Sequence, residues 1–239
     1  MFQSLPDPEP EIIFAEPRNP WALIDLVVFG VFFLAMLVLI APFARLPVIY
    51  AIPLQGIFNI ALVGFIAAWV RIVRRSSFKE YIHLFSNRTF SMQWLVTLGA
   101  SAAVSVLFIS AFLPTSGQTP LETLLTTRSA ILMFAVFGVA VAPLLEEIIF
   151  RGFLFKALWE IGGSTLAVPV TAALFALLHA GQLAGNWGSV VLIFLVGGIL
   201  SVIRHRSNSI IPSFIVHTAY NSTLFLLFAM SSVVQNLMK

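Results

Sequence analysis

The chain contains no cysteine, which excludes disulfides, thiolate nucleophiles and cysteine-ligated metal. Charge is scarce as well: 10% of the 239 residues are Asp, Glu, Lys or Arg, against about 25% in an ordinary soluble domain. The zinc signature HExxH is missing, and no lysine or paired aspartate falls inside an apolar segment. Serine–lysine and aspartyl-pair proteolysis therefore have no support. No fixed-period repeat and no boundary to a soluble domain is apparent. Residues 1–20 are acidic and proline-rich, lack the basic start of a signal peptide, and read as a short solvent-exposed tail.

What the chain does have is apolar length. It is 59% hydrophobic with 23 phenylalanines, and its apolar runs reach the length of a bilayer crossing. The expected fold is all-α, a polytopic transmembrane bundle of about seven spans. They fall at 22–43, 50–70, 92–113, 129–155, 166–183, 188–204 and 209–231. The net charge of +3 and pI of 9.7 point to membrane topology rather than nucleic acid, because the cations gather at span ends. Arg71, Arg74, Arg75, Lys79 and Arg88 follow span two, Lys156 and nearby Arg151 span four, Arg204 and Arg206 span six. The opposite connections hold little beyond Arg45 and Arg128. The positive-inside rule then predicts a cytoplasmic N-terminus, with the bacterial inner membrane as the expected location. The linker from Arg71 to Phe90 suits a helix lying among headgroups. Thr119-Pro-Leu-Glu122 has the form of a capping box and predicts a short helix from Leu121 to about Thr127. The chain thus divides into a tail (1–20), N-terminal helices with their linker (21–124), a core (125–231) and a C-terminal tail (232–239).

With the span ends set aside, the ionisable residues within the spans are Asp25, Glu146, Glu147, Arg151, His179 and His217. Asp25 is one turn inside span one, where it is expected to reach water. The others stand in a region where a charge costs about 2.5–3.5 kcal/mol on insertion scales. Glu147 and Arg151 are four apart in the favourable order for a helical ion pair. Glu146, rotated by about 100°, points away from that pair and is left free for chemistry. The plain alternative is one inert ionic knot of all three. His217 and Asn221 share a face of the last span. Depth places Glu146 roughly 15 Å and His217 about 12 Å from the basic side, with His179 at roughly 15 Å if Pro169 starts span five, or about 7 Å deeper if Ser164 does. A glutamate and a histidine can activate a water, and a second histidine with an asparagine can steady an oxyanion. Glu146, His179 and His217 could instead ligate zinc.

Glu146-Glu147-Ile-Ile-Phe-Arg151 resembles the EExxxR motif of the CAAX prenyl endopeptidase and bacteriocin-processing family. Phe175-Ala-Leu-Leu-His179 resembles its FxxxH motif and His217-Thr-Ala-Tyr-Asn221 its HxxxN motif. The order matches, and the similarity covers about residues 125–230. The resemblance implies a glutamate-type intramembrane endopeptidase acting without a metal on a membrane-associated peptide or protein, with no nucleic-acid partner. Glu146 and His179 would activate water, His217 and Asn221 would form the oxyanion site, and Glu147, Arg151 and Phe175 would support it. Two other readings stay open: a scaffold or immunity protein that keeps the polar network, and a proton-coupled transporter, although no inverted repeat favours the latter.

Overall fold

The structure is a computed structural model that describes residues 19–43, 46, 48–85, 90–113, 128–183 and 186–237. The Thr119 capping box, the helix expected after it, Arg45, Arg88 and nearly all of the N-terminal tail lie outside those residues. Every regular element among them is helical. In chain order these are α1 (Pro20–Ile40), α2 (Val48–Ile72), α3 (Phe78–Tyr81), α4 (Met92–Ser110), α5 (Arg128–Val136), a π-helical segment (Phe137–Val141), α6 (Ala142–Glu147), a second π-helical segment (Ile148–Leu154), α7 (Phe155–His179), α8 (Trp187–Ser207) and α9 (Ile210–Leu237). A three-residue 3-10 turn, Ala41–Phe43, extends α1.

Local chemistry sets the helix ends. Asn19 caps α1 by accepting from the Trp21 amide, and Pro20 occupies the first helical position, where no N–H is needed. Asn186 caps α8 through the Ser189 amide. Asn208 closes α8 in the left-handed conformation that asparagine tolerates.

Six stretches among the described residues are long and apolar enough to cross a membrane, and one of them, Ile131–His179, is far too long for a single crossing. It folds back on itself. Gly162 and Gly163 leave helical geometry inside α7, and Gly163 has φ +64°, which a side chain would resist. Phe150 and Phe175 stand equally far from this bend, and their rings meet edge to face with centroids 5.2 Å apart. The run is therefore a hairpin, and spans four and five of the sequence analysis are its limbs. The sequence boundaries need correcting: the first limb continues beyond residue 155 to the glycine pair, and the second begins at Ser164 and ends at His179.

Among the described residues the core has two large parts, beside a small cluster of Phe155, Leu158 and Ala167. One joins Phe29 of α1, Phe58, Leu62, Ile66 and Val70 of α2, and Ile149, Phe150 and Phe153 of the second π segment. The other joins Leu95 and Ala103 of α4 to Leu200 and Ile203 of α8 and to Val216 and Tyr220 of α9. In the second part a Cβ on Gly99 would run into the Val216 carbonyl. Only glycine lets α4 and α9 approach that closely, as small residues do between membrane helices.

Two expectations fail at the basic end of the bundle. The linker does not form the long helix expected of it among the described residues. Its only helix among the described residues is the single turn α3, and Tyr81 and Ile82 are buried, with Ile82 seated on Gly152. Asp25 does not reach water either, being 0% exposed. It accepts from Trp69 Nε1 at 2.8 Å and Tyr81 Oη at 2.7 Å, and Arg74 Nε lies 3.7 Å away. Arg74 and Lys156 both bond Glu160. The cations after spans two and four thus meet at one end of the bundle.

His83, in the same linker, is held down to about 4 by burial, reinforced by the positive charges of Arg204 and Lys156 and opposed by Glu160. A histidine kept neutral in the fold but free to protonate when unfolded gives stability that is complete above pH about 6.5 and declines as the pH falls toward about 4. Thermal unfolding between pH 7 and 4.5 should therefore show a drop in Tm that shrinks in His83→Asn, a residue suited to the left-handed φ of 52° found there. An unchanged pH slope would remove His83 as the cause.

Candidate active site

Helical spacing turns Glu147 and Arg151 inward together. Both are 0% exposed, and Arg151 Nη1 lies 3.1 Å from Glu147 Oε1. Arg151 Nη2 donates to the Gly197 carbonyl of α8 at 3.0 Å, and its guanidinium carbon sits 4.6 Å from the centre of the Phe175 ring. These contacts fasten the first limb of the hairpin to α8 and to the second limb.

Glu147 also reaches α9. Its Oε1 is 3.0 Å from His217 Nδ1. A carboxylate oxygen can only accept here, so Nδ1 carries a proton and the tautomer is set. The opposite nitrogen, Nε2, faces Glu146 Oε2 at 3.7 Å. His217 therefore lies between two carboxylates. Arg151 bonds Glu147, and Glu146 faces His217. Of the two glutamates it is the accessible one, with about a fifth of its side chain exposed. Two atoms 3.7 Å apart can both hydrogen-bond one water at ordinary lengths of about 2.8 Å.

His179 is the last residue of α7. Its Nδ1 is 2.8 Å from the Phe175 carbonyl of its own helix, so Nδ1 donates and Nε2 of the neutral ring is an acceptor. Its ring lies 4.5 Å from that of Phe175, and His217 meets the same ring from elsewhere at 5.6 Å. The register that pairs Phe150 with Phe175 also brings Glu146 and His179 to the same level, to within about one turn. The second limb begins at Ser164, so His179 takes the deeper of its two expected positions. Phe175 is thus the ring around which Arg151, His179 and His217 are arranged. Asn221, one turn beyond His217, donates from Nδ2 to the Gly138 carbonyl at 2.8 Å.

Arg204 is a residue that charge counting missed. Grouped by sequence with the topology cations, it is 3% exposed and donates from Nε to the Arg151 carbonyl at 2.9 Å. The signal was positional: Gly197, Ser201 and Arg204 share one face of α8, and both ends of that stripe bond Arg151.

Among the described residues no group of three histidine, aspartate or glutamate side chains is arranged to hold a metal ion.

Residues 127–223 match the family model described as Rce1-like, type II CAAX prenyl endopeptidase Rce1-like. The match spans all three motifs and leaves the first three membrane helices outside it. The resemblance of those motifs to CAAX endopeptidases holds over this part of the chain. No curated protein and no solved structure matches the chain.

Proposed function

We propose that the Rce1-like CAAX-endopeptidase core of this integral membrane protein hydrolyses a peptide bond of a membrane-associated substrate with a water activated by Glu146. The observation that carries the proposal is the approach of Glu146 to His217 at 3.7 Å, beside the buried Glu147–Arg151 pair.

Glu146 takes the proton as the water attacks the scissile carbonyl. His179, level with Glu146 and with Nε2 free to accept, shares that proton and passes it to the leaving amine. The tetrahedral oxyanion needs donors. His217 can donate from Nε2 only as imidazolium, because Glu147 already holds its Nδ1–H. The carboxylates on either side compensate that charge. Asn221 offers its second N–H, its first being bound to Gly138. Arg151 neutralises Glu147, so that the Glu146 carboxylate is the one left to react. With the basic end of the bundle in the cytoplasm, as the positive-inside rule directs, the N-terminus is cytoplasmic.

The test is cleavage of a farnesylated, internally quenched peptide ending in a CAAX sequence, by purified protein in liposomes. Wild type should cut it, with or without a metal chelator. His179→Ala should lower kcat about 10²-fold or more, the scale of a lost proton-transfer group. Cleavage by His179→Ala at the wild-type rate would defeat the shared base. No cleavage by wild type, with a cellular phenotype that survives His179→Ala, would favour the scaffold or immunity reading.

A further inference from the structure

Each π-helical segment has a backbone consequence. A π turn bonds N–H to the carbonyl five residues back, and where α spacing resumes one carbonyl is passed over. In the second segment the Phe155 amide bonds the Phe150 carbonyl. α7 begins there, and four-residue spacing from Lys156 onward leads to Gly152 and passes over the Arg151 carbonyl. In the first segment the Ala142 amide bonds the Phe137 carbonyl. The next residue is Pro143, which has no N–H, and the Gly138 carbonyl is passed over.

Within a membrane a carbonyl without a partner is costly, since no water reaches it. Both are met by side chains from other helices. Asn221 donates to Gly138 at 2.8 Å, and Arg204 Nε donates to Arg151 at 2.9 Å. Arg204 is itself held by the Asn208 side chain at 3.3 Å and by the face of Phe155, 5.4 Å from its guanidinium carbon. The exchange with Arg151 is reciprocal: the Arg151 side chain bonds α8 at Gly197 while the Arg204 side chain bonds the Arg151 backbone.

We infer that Arg204 is a positioning residue for the proposed reaction: by occupying the Arg151 carbonyl it fixes the π segment and with it the rotation that turns Glu146 and Glu147 toward His217. The inference rests on the endopeptidase reading of the site. Were the segment to relax to α spacing, the residues on its two sides would turn relative to each other by about 100°. The ion pair, the Phe175 contact and the aim of Glu146 could not then be kept together.

The test compares Arg204→Met, which has similar length and no donor, with Arg204→Lys, which keeps one donor and the charge. Cleavage of the farnesylated peptide in liposomes is read alongside hydrogen exchange of residues 148–156. Arg204→Met should lower kcat about 10²-fold with KM nearly unchanged, the scale of a small misplacement of reacting groups. Its amides at 148–156 should exchange about ten times faster, while α4 stays as in wild type. Arg204→Lys should restore most of both. A normal kcat in folded Arg204→Met, or faster exchange spread evenly over the whole bundle, would overturn the inference. Glu146→Gln separates the two claims. If it still cleaves, the endopeptidase reading fails, and exchange alone decides whether Arg204 holds the segment. If it is inactive while Arg204→Met is fully active, the reading stands and the positioning role is gone.

Discussion

Glu146→Gln should reduce kcat for the farnesylated peptide by about 10²–10⁴-fold, the range supplied by a general base. The substitution keeps the size of the side chain and one oxygen facing His217, and removes the ability to take a proton. It should leave the fold intact, because Glu146 is the partly exposed glutamate and takes no part in the pair that joins the hairpin to α8. Initial rates at saturating substrate, with thermal unfolding measured on the same preparation, check both halves. Turnover within ten-fold of wild type would take Glu146 out of the reaction.

Arg151→Met should act in the opposite way, on stability before chemistry. It breaks the 3.1 Å contact with Glu147, the bond to Gly197 and the stack on Phe175, and leaves the Glu147 carboxylate buried beside a thioether. Removing one partner of a buried ion pair typically costs about 3–5 kcal/mol. That is a large share of the usual stability of a fold. Equilibrium unfolding in mixed micelles should show the loss. The double variant Glu147→Gln/Arg151→Met should recover part of it, since no bare charge remains and the two changes share one contact. A single-variant loss below about 1 kcal/mol would mean that the pair is not the fastener it is taken to be.

The crossings were legible because hydropathy is a local property. The three motifs were legible because their residues stand four or five apart in sequence. The Glu147–Arg151 pair follows from helical spacing alone, and it forms at 3.1 Å. What sequence spacing could not carry was contact between distant helices. Asp25 looked interfacial by position, yet Trp69 and Tyr81, 44 and 56 residues away, enclose it. His217 was matched to Asn221 on its own helix, while its hydrogen bond goes to Glu147, 70 residues earlier. The π segments also left little trace. One extra residue in a turn does not disturb an apolar run, and the only local hint was Pro143 with its missing amide. Arg204 was hidden by a correct generalisation: cations do cluster at span ends, and this one also turns back to a carbonyl 53 residues away.

The glycine bend also sets an order of assembly. Glu146, Glu147, Arg151 and His179 all belong to one hairpin, whose limbs can enter the bilayer together as soon as Gly162 and Gly163 let the chain reverse. His217 and Asn221 arrive two helices later in synthesis. A chain that has emerged only as far as α8 holds Glu146, Glu147, Arg151 and His179, and lacks the His217 partner of Glu147 and the Asn221 partner of Gly138. The polar cluster becomes whole only when α9 docks beside α4, so until then the growing polypeptide carries Glu147 with Arg151 alone as its partner.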